Sequence, residues 1–386
     1  MFPIYFSYLL FSADFHLFYL GLPMEMNQDI RFASTLNTSL YKDFEHFENL
    51  KERIFARTWH WIADAQQLAL ENQVIPVQLY PGFLNEPLLL TNDTKGILHC
   101  LSNVCTHRGN LLVKQPGVCN SLVCSYHGRK FSLDGKFQFM PEFKKAENFP
   151  TEQDNLTELP LKNWNNLLFT ALKADIPFEH FFQDMQQRLS WLPIAEFRFE
   201  PLYSQDYLVN ANWALYCDNY LEGFHIPYVH PSLNQAIDYN TYSTELFPYS
   251  SLQLGLGKDG EHLFQIPEGH KDADKKVAAY YFWIFPNMMF NFYPWGCSVN
   301  IVKPIKQDLT RVSFRTYIWK PELFDSKAAS MLEKVEREDE NIVEQVQQGV
   351  QSRFYKSGRF SPDREQGVHH FHCLIDKFLN RNDENE

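Results

Sequence analysis

Two short Cys–His pairs lie close together in the first half of the chain. Cys105 and His107 form a C-x-H pair, and Cys124 and His127 form a C-x-x-H pair after a gap of sixteen residues. Two thiolates and two neutral imidazoles are the ligand set of a [2Fe–2S] cluster in which two histidines replace two cysteines on one iron. The pattern therefore predicts one iron held by thiolates, one held by imidazoles, and a chain that carries electrons.

Zinc is the alternative metal, because two Cys and two His also form tetrahedral zinc sites. Zinc modules more often use C-x-x-C pairs, whereas here a glycine follows each Cys–His pair, at Gly109 and Gly128. These features favour the iron–sulfur cluster. Seven cysteines in a long chain do not indicate a disulfide framework. The cysteines outside the two pairs are interpreted as buried thiols: Cys100, Cys119, Cys217, Cys297 and Cys373.

A second His pair, His225 and His230, follows in the second half of the chain. On a regular helix, five residues at about 100° each would leave the two rings roughly 140° apart. Pro227 lies between them and disfavours helical geometry at the preceding residue, so a break there could bring the rings together. The alternative is two structural histidines. Two His and one carboxylate with open positions form the site of mononuclear iron(II) oxygenases, so we predict a metal site.

The carboxylate of that site is predicted from helical periodicity. Leu332, Val335, Ile342 and Val346 form an apolar stripe along a late helix, and Asp339 completes it. A carboxylate on a buried apolar face is costly unless it is paired or bound to a metal. Asp339 is therefore the candidate third ligand. The glutamates of this helix are expected on its solvated face: Glu333, Glu336, Glu338, Glu340 and Glu344.

The elements that must position these residues are predicted from periodicity and turn residues. Helices are expected over residues 40–59, 175–191 and 326–350. Asp134-Gly135 predicts a hairpin beside the second Cys–His pair, so the cluster residues are expected at hairpin tips. Other strands are predicted at residues 88–91, 97–101, 280–285 and 311–319.

Composition and charge argue against nucleic-acid binding and against a membrane span. The net charge of −12 argues against nucleic-acid binding, which needs a basic surface. Oxygen-sensitive cluster thiolates favour the reducing cytosol, so a cytoplasmic location is expected. Residues 1–23 are apolar and aromatic but lack a basic start, and Asp14 and His16 interrupt the run within the predicted start at residues 1–25. We expect an over-extended or disordered start, with Met24 or Met26 as the initiator, and no membrane span.

The motifs together resemble the Rieske non-haem iron oxygenases, terminal (alpha) component, over nearly the whole chain after about residue 35. Asn110 and Tyr126 stand where respiratory Rieske proteins carry a disulfide, so the chain resembles the oxygenase type. Arg129 stands where a Trp is common, which is expected to alter the loop surface but not ligation. Three segments resemble choline monooxygenase-like members: residues 217–221, 355–359 and 369–373.

The resemblance implies an α+β fold with a small all-β Rieske [2Fe–2S] domain and a larger helix-grip catalytic domain, an antiparallel sheet with helices. The expected division is a helical segment at 26–60, the Rieske domain at 61–165, the catalytic domain at 166–380 and a disordered tail at 381–386. Aromatic pocket walls are expected after the cluster domain, at Phe285, Asn287, Met289, Phe292 and Trp295.

The resemblance also implies a function and partners. The protein would activate O2 at a mononuclear Fe(II), with electrons from its Rieske cluster, to hydroxylate a small organic substrate. A quaternary ammonium compound such as choline or a betaine is favoured; an aromatic-ring dioxygenase or demethylase and an electron carrier without catalytic iron are alternatives. A separate NAD(P)H-dependent reductase or ferredoxin and a homotrimer are implied. Glu222 would bridge to the cluster ligand His107, with Asp218 as the substitute and Asn219 beside the iron.

Overall fold

The computed structural model describes residues 25–258, 260–324 and 326–381 of the 386-residue chain. The predicted over-extended start and disordered tail lie outside these ranges, except for Glu25 and Arg381. The helices are α1 (Ser39–Lys42), α2 (Phe44–Arg53), α3 (Phe178–Arg188), α4 (Trp213–Tyr220), α5 (Ile226–Val229), α6 (Pro231–Ala236), α7 (Ser326–Val350) and α8 (Gln366–Leu379).

The first half of the chain forms small antiparallel sheets, as predicted. The strands are β1 (His60–Asp64), β2 (Gln73–Leu79), β3 (Glu86–Asn92), β4 (Leu98–Ser102), β5 (Gly117–Val118), β6 (Leu122–Val123), β7 (Lys130–Phe131), β8 (Phe137–Phe139), β9 (Glu158–Leu159), β10 (Leu161–Trp164) and β11 (Leu167–Thr170). Their sheets have the orders β5-β2-β3-β4-β9, β6-β7-β8 and β1-β11-β10. The predicted hairpin forms, and Phe131 pairs with Phe137 across the Asp134-Gly135 turn. The strands predicted at residues 88–91 and 97–101 also form and pair with each other as β3 and β4.

The second half is built on one antiparallel sheet with helices packed against it. Its strands are β12 (Arg198–Phe199), β13 (Gln205–Val209), β14 (Ser243–Phe247), β15 (Ser250–Leu256), β16 (Val277–Ile284), β17 (Met288–Tyr293), β18 (Gly296–Lys306) and β19 (Leu309–Ile318). The order is β12-β19-β18-β17-β16-β15-β14, with β13 also pairing β19. The strands predicted at 280–285 and 311–319 therefore exist. Trp213 of α4 and Trp283 of β16 both pack edge-on against Phe371 of α8, which fastens these helices to the sheet.

The helix predicted over residues 40–59 is wrong in its extent. Asp43 has extended backbone angles (φ −90°, ψ 127°) between α1 and α2, and the α-helical hydrogen bonds end near Arg53. A short 3₁₀ turn over Phe55–Arg57 follows, and Thr58 is extended. Tertiary packing of the aromatic side chains overrides the helical period here. The second predicted helix is shorter than expected, because α3 begins only after Pro177.

The long helix α7 has the predicted bounds, but its predicted buried face is wrong by about one position. Val346 is 44% exposed, whereas Val343 is 1% exposed. The side chain of Leu332 lies outside the described residues. Of the glutamates expected in solvent, Glu333 is exposed, while the others face the protein or contact it. Buried polar contacts carry no hydropathy signal, so periodicity could not register this rotation.

Candidate functional site

The two Cys–His loops repeat one backbone arrangement. In the first loop, the Cys105 N–H donates to the Asn110 carbonyl and the Gly109 N–H donates to the Cys105 carbonyl. In the second, the Cys124 N–H donates to the Arg129 carbonyl and the Gly128 N–H donates to the Cys124 carbonyl. The glycines have φ of 68° and 73°, a left-handed conformation that a side chain disfavours. Each loop therefore turns tightly enough to present its Cys inward.

The four side chains of these loops meet at one edge of the small domain. The His107 and His127 rings lie 4.8 Å apart between centroids, and both thiols are buried beneath them. His107 Nδ1 is buried without a hydrogen-bond partner, as expected of an atom that binds a metal. Burial alone would raise the pKa of Cys124, but N–H donors including that of Tyr126 lower it overall, which favours a thiolate. The residues present therefore fit a [2Fe–2S] cluster.

Arg129 lies under the cluster loops, not on their surface, so the expected change of loop surface is wrong. Its side chain is 2% exposed and donates to the Asp154 carboxylate at 2.6 Å and to the Asp154 carbonyl at 3.0 Å. The guanidinium also lies over three rings, at 4.9 to 5.6 Å from their centroids: Phe131, Phe137 and Phe149. Arg129 is therefore a buried, paired cation that joins the Asp154 segment to the rings beneath the loops.

A second group of potential metal ligands forms where α4, α5 and α7 meet. Ligand atoms of His225, His230 and Asp339 all lie within 4.8 Å of one another. Helix α4 ends at Tyr220, α5 begins after His225 with Pro227 in its first turn, and His230 lies between α5 and α6. The break predicted at Ile226 is therefore wrong in its position: the helix is interrupted between Tyr220 and Ile226 and again at His230, and both imidazoles face α7.

Both imidazoles are oriented by carboxylates on their far sides. His225 Nδ1 lies 2.6 Å from Glu222 Oε1, and His230 Nδ1 lies 2.8 Å from Glu338 Oε2. A proton on each Nδ1 leaves each Nε2 lone pair facing Asp339, at 3.6 and 2.9 Å from its Oδ1. This is the arrangement that metal-binding histidines use. Burial alone would lower the pKa of His230, but Asp339 and Glu338 raise it overall.

The other two predicted site residues have different surroundings. Asn219 donates from Nδ2 to Asp339 Oδ1 at 2.6 Å, so it holds the carboxylate beside the histidines. Asp218 instead points toward the last helix, where it accepts from the Tyr41 hydroxyl at 2.9 Å and contacts His372 Nε2 at 2.9 Å. His372 Nδ1 accepts the Leu36 N–H, so this network fastens the N-terminal segment to α8.

Sequence reasoning missed Glu338 and Glu336. Glu338 was placed on a solvated face, yet it contacts His230. Glu336 accepts from the Tyr216 hydroxyl at 2.8 Å, and Asn300 Nδ2 lies 3.5 Å from its other oxygen. Burial, and then the neighbouring charge of Asp339, raise the pKa of Glu336 well above its usual range. The rotation of α7 by about one position keeps Asp339 inside and brings Glu336 in beside it.

A cavity of about 510 Å³ opens directly beside His225, His230 and Asp339. This volume falls within the range of about 300–1,000 Å³ that small-molecule sites occupy. Of the predicted wall residues, Trp295 lines it, whereas Phe285, Asn287, Met289 and Phe292 lie elsewhere in the core. Phe292 alternates with the lining residues Asn291 and Tyr293 and so faces the other side of β17. Phe285 and Asn287 lie in the connection between β16 and β17, and Met289 shares the face of Asn291 but lies farther along the strand. The aromatic lining was mostly missed: Tyr216, Tyr220, Tyr242, Tyr281 and Tyr293, beside Trp295.

The fold and the two sites define an iron-dependent redox enzyme of two parts. Residues 58–150 match the Rieske [2Fe-2S] domain family, and residues 190–381 match the ring hydroxylating alpha subunit (catalytic domain) family. The chain therefore belongs to the Rieske non-haem iron oxygenases as a terminal (alpha) component. It is an oxidoreductase with a Rieske [2Fe–2S] cluster and a mononuclear iron, and it takes electrons from a separate reductase or ferredoxin.

Curated relatives and solved structures agree with this family. The chain is 27% identical over 364 residues to a choline monooxygenase of Beta vulgaris, covering 90% of this chain and 77% of that one. It is equally identical over 364 residues to the carnitine monooxygenase oxygenase subunit of Escherichia coli (strain K12), covering 89% and 93%.

Solved structures share the fold. The quaternary ammonium Rieske monooxygenase CntA in complex with L-carnitine superposes with a TM-score of 0.72 at 24% identity, covering 93% of this chain and 99% of that one. Naphthalene 1,2-dioxygenase with indole bound superposes with a TM-score of 0.70 at 17% identity, covering 90% and 92%. No helix among the described residues is long and apolar enough to cross a membrane.

Proposed function

We propose that this protein hydroxylates a small quaternary ammonium compound such as choline or a betaine. The observation that carries the proposal is the cavity beside the His225, His230 and Asp339 group, which is walled by six aromatic side chains. Tyr293 stacks on Trp295 at 5.0 Å between centroids, and Tyr281 meets Tyr293 edge-on at 5.9 Å. Aromatic walls attract quaternary ammonium groups through cation–π interactions. The relatives named for choline and carnitine point the same way.

The proposed ligands are the residues already described. Cys105, Cys124, His107 and His127 would hold the cluster, and His225, His230 and Asp339 would hold the mononuclear iron. When bound, the cluster supplies electrons singly and the iron(II) supplies the site at which dioxygen is activated. Glu222 and Glu338 keep both Nδ1 protons in place, so the Nε2 atoms stay available as ligands.

Glu222 is the proposed bridge to the cluster of a neighbouring copy, through His107 of that copy. The Asp218 carboxylate is already bound by Tyr41 and His372, which supports Glu222 rather than Asp218 in this role. Tyr228, near Glu222, is 80% exposed, and Tyr126, in the second cluster loop, is 58% exposed. Exposed aromatic residues at both sites favour a homotrimer in which these surfaces meet. The oxygen-sensitive cluster favours a reducing compartment such as the cytosol.

The test is a substrate panel with a surrogate reductase and NAD(P)H, scored by product. Choline, carnitine, glycine betaine, stachydrine and benzoate-type aromatics cover the substrate classes in question. We expect oxygen-dependent product from an ammonium substrate and none from benzoate. Product from the aromatic compounds alone would replace the proposal with a ring-hydroxylating activity. About three iron atoms per chain fit the oxygenase, whereas about two would reduce the protein to an electron carrier.

A further inference from the structure

The cavity beside the candidate iron site has a one-sided charge. Its lining contains four carboxylic acids and three histidines, and no Lys or Arg among the residues that the structure describes. The acids are Glu222, Glu261, Glu336 and Asp339. Away from the candidate iron ligands, such a lining favours a cation and disfavours an anion, because a carboxylate brought there would leave water without meeting a Lys or Arg.

Of these four acids, Glu336 is the one that neither contacts a candidate ligand histidine nor is exposed. Glu222 and Asp339 contact the two histidines, and Glu261 is exposed. Glu336 lies one helical turn before Asp339 and contacts only neutral groups, the Tyr216 hydroxyl and the Asn300 amide. No Lys, Arg or His of the described chain lies within ion-pair distance of its carboxyl group.

The walls around Glu336 suit the rest of an ammonium ligand. Tyr216 shares a hydrogen bond with Glu336, while Tyr293 and Trp295 form a stacked pair in the same cavity. Asn291 accepts from the Tyr220 hydroxyl at 2.7 Å, which fixes a further ring of the lining. Methyl groups on nitrogen can pack against such rings while the positive charge is balanced by the acid. A cation in this position favours the ionised form of a buried carboxyl group.

We propose that Glu336 is the counter-ion that makes this cavity select quaternary ammonium compounds without a carboxylate, over zwitterions and over neutral ligands of the same shape. The inference rests on the proposed function and narrows it from choline or a betaine to a choline-like cation. Selection against zwitterions follows from the absence of Lys and Arg among the described lining residues. Selection against neutral ligands follows from the unpaired acid.

The test measures binding to the metal-loaded enzyme without oxygen, by isothermal titration calorimetry. The probes are choline, its neutral isostere 3,3-dimethylbutanol, the zwitterion glycine betaine, and benzoate. We expect choline to bind at least about tenfold more tightly than each of the other three. Glu336→Gln should raise the Kd for choline about tenfold and change the Kd for 3,3-dimethylbutanol by less than about twofold. Glu333 is an exposed acid on the same helix, so Glu333→Gln is the matched control and should change neither Kd.

A second variant covers the case in which Glu336→Gln does not fold. Gln235 is an exposed lining residue, so Gln235→Lys adds a cation at the cavity with little structural cost. The preference for choline over glycine betaine should fall by at least about threefold. An unchanged preference would overturn the inference, as would equal binding of choline and 3,3-dimethylbutanol by the unaltered enzyme.

The outcomes also separate this inference from the proposed function. Turnover of an ammonium substrate combined with equally tight binding of choline and 3,3-dimethylbutanol would leave the function standing and remove the role of Glu336. Failure of every probe to bind, together with no product from the panel, would remove the function and this inference with it.

Discussion

The two metal-binding regions of this chain are built in opposite ways. The cluster residues come from two neighbouring loops with the same backbone hydrogen bonds, and His127 is exposed at the edge of its domain. The candidate iron residues come from segments far apart, with His230 and Asp339 separated by 109 positions, and they open onto an enclosed cavity. A surface site suits the exchange of electrons with partners, and a cavity suits the exclusion of water during chemistry.

The difference also concerns how each region is supported. Under the cluster loops, a single buried cation, Arg129, connects the Asp154 segment to three aromatic rings. Around the candidate iron site, acids and an amide on α4, on α7 and in the loop between α4 and α5 orient the ligands. Replacing Arg129 should therefore lower the stability of the cluster domain. Replacing the residues that orient the candidate iron ligands should instead change metal binding and catalysis in a protein that stays folded.

The largest effect is expected at the proposed link between the two regions. At saturating iron, Glu222→Gln should leave both metals bound, with iron affinity lowered no more than about tenfold, yet product formation should fall at least about 100-fold. The measurements are metal content, the Rieske signal on reduction and product yield. Asp218→Asn is the comparison, since its carboxylate binds Tyr41 and His372, and it should affect stability more than turnover. Near wild-type turnover by Glu222→Gln would show that the bridge is assigned wrongly.

A change to Arg129, which lies under the cluster loops, is expected to act on stability. Arg129→Ala should lower the free energy of unfolding of the cluster domain by about 2 kcal/mol, because Asp154 loses its buried partner. The urea midpoint for loss of cluster absorbance measures this. Lys136→Ala removes an exposed ion pair with Glu152 in the same domain. It should change the free energy of unfolding obtained from the midpoint by less than about 0.5 kcal/mol. Equal effects of the two variants would contradict the structural role of Arg129.

A change to Glu338, which contacts the candidate ligand His230, is expected to act on iron affinity. Glu338→Gln keeps an acceptor for His230 but removes its charge, so iron affinity should fall about tenfold while the cluster spectrum stays unchanged. Competition with a chelator gives the affinity. Lys334, whose exposed amine lies 3.7 Å from Glu338, provides the control through Lys334→Gln. An iron affinity that is the same in Glu338→Gln and wild type would mean that Glu338 does not support the ligand.

The smallest effect tests the rotation of α7. Val346 is 44% exposed, so Val346→Ser should change the free energy of unfolding by less than about 0.5 kcal/mol. Val343 is buried, and Val343→Ser should cost about 2 kcal/mol or more. Chemical denaturation of both variants makes the comparison. The reverse order would restore the face predicted from hydropathy, which keeps Asp339 inside but turns Glu336 toward solvent.

Particular elements mark where sequence reasoning succeeds. The hairpin at Asp134-Gly135 and the bounds of α7 follow from local turn chemistry and periodicity, which the tertiary structure leaves unchanged. The break predicted at Ile226 is misplaced, because Ile226 and Pro227 open α5, a first-turn position that proline tolerates; the interruptions lie between Tyr220 and Ile226 and at His230. The positions of Asp339 and Glu222 beside the two histidines agree with the prediction, although their roles remain proposals.

Other features depended on contacts between distant segments. The buried position of Arg129 requires Asp154 and three rings that only the folded loop brings together. The acids of α7 face inward because Tyr216, Asn300 and His230 provide partners for them. Hydropathy treats such acids as solvated, so it placed them on the wrong face.

The sequence by itself determined the identity of the electron-carrying group and the type of second metal site, because ligand chemistry is fixed by residue type and short spacing. Only the tertiary structure decided which side chains wall the cavity and what charge they bring to it. The physical reason is that strand register and helix rotation, set by packing across the whole sheet, choose which face of each element meets the substrate.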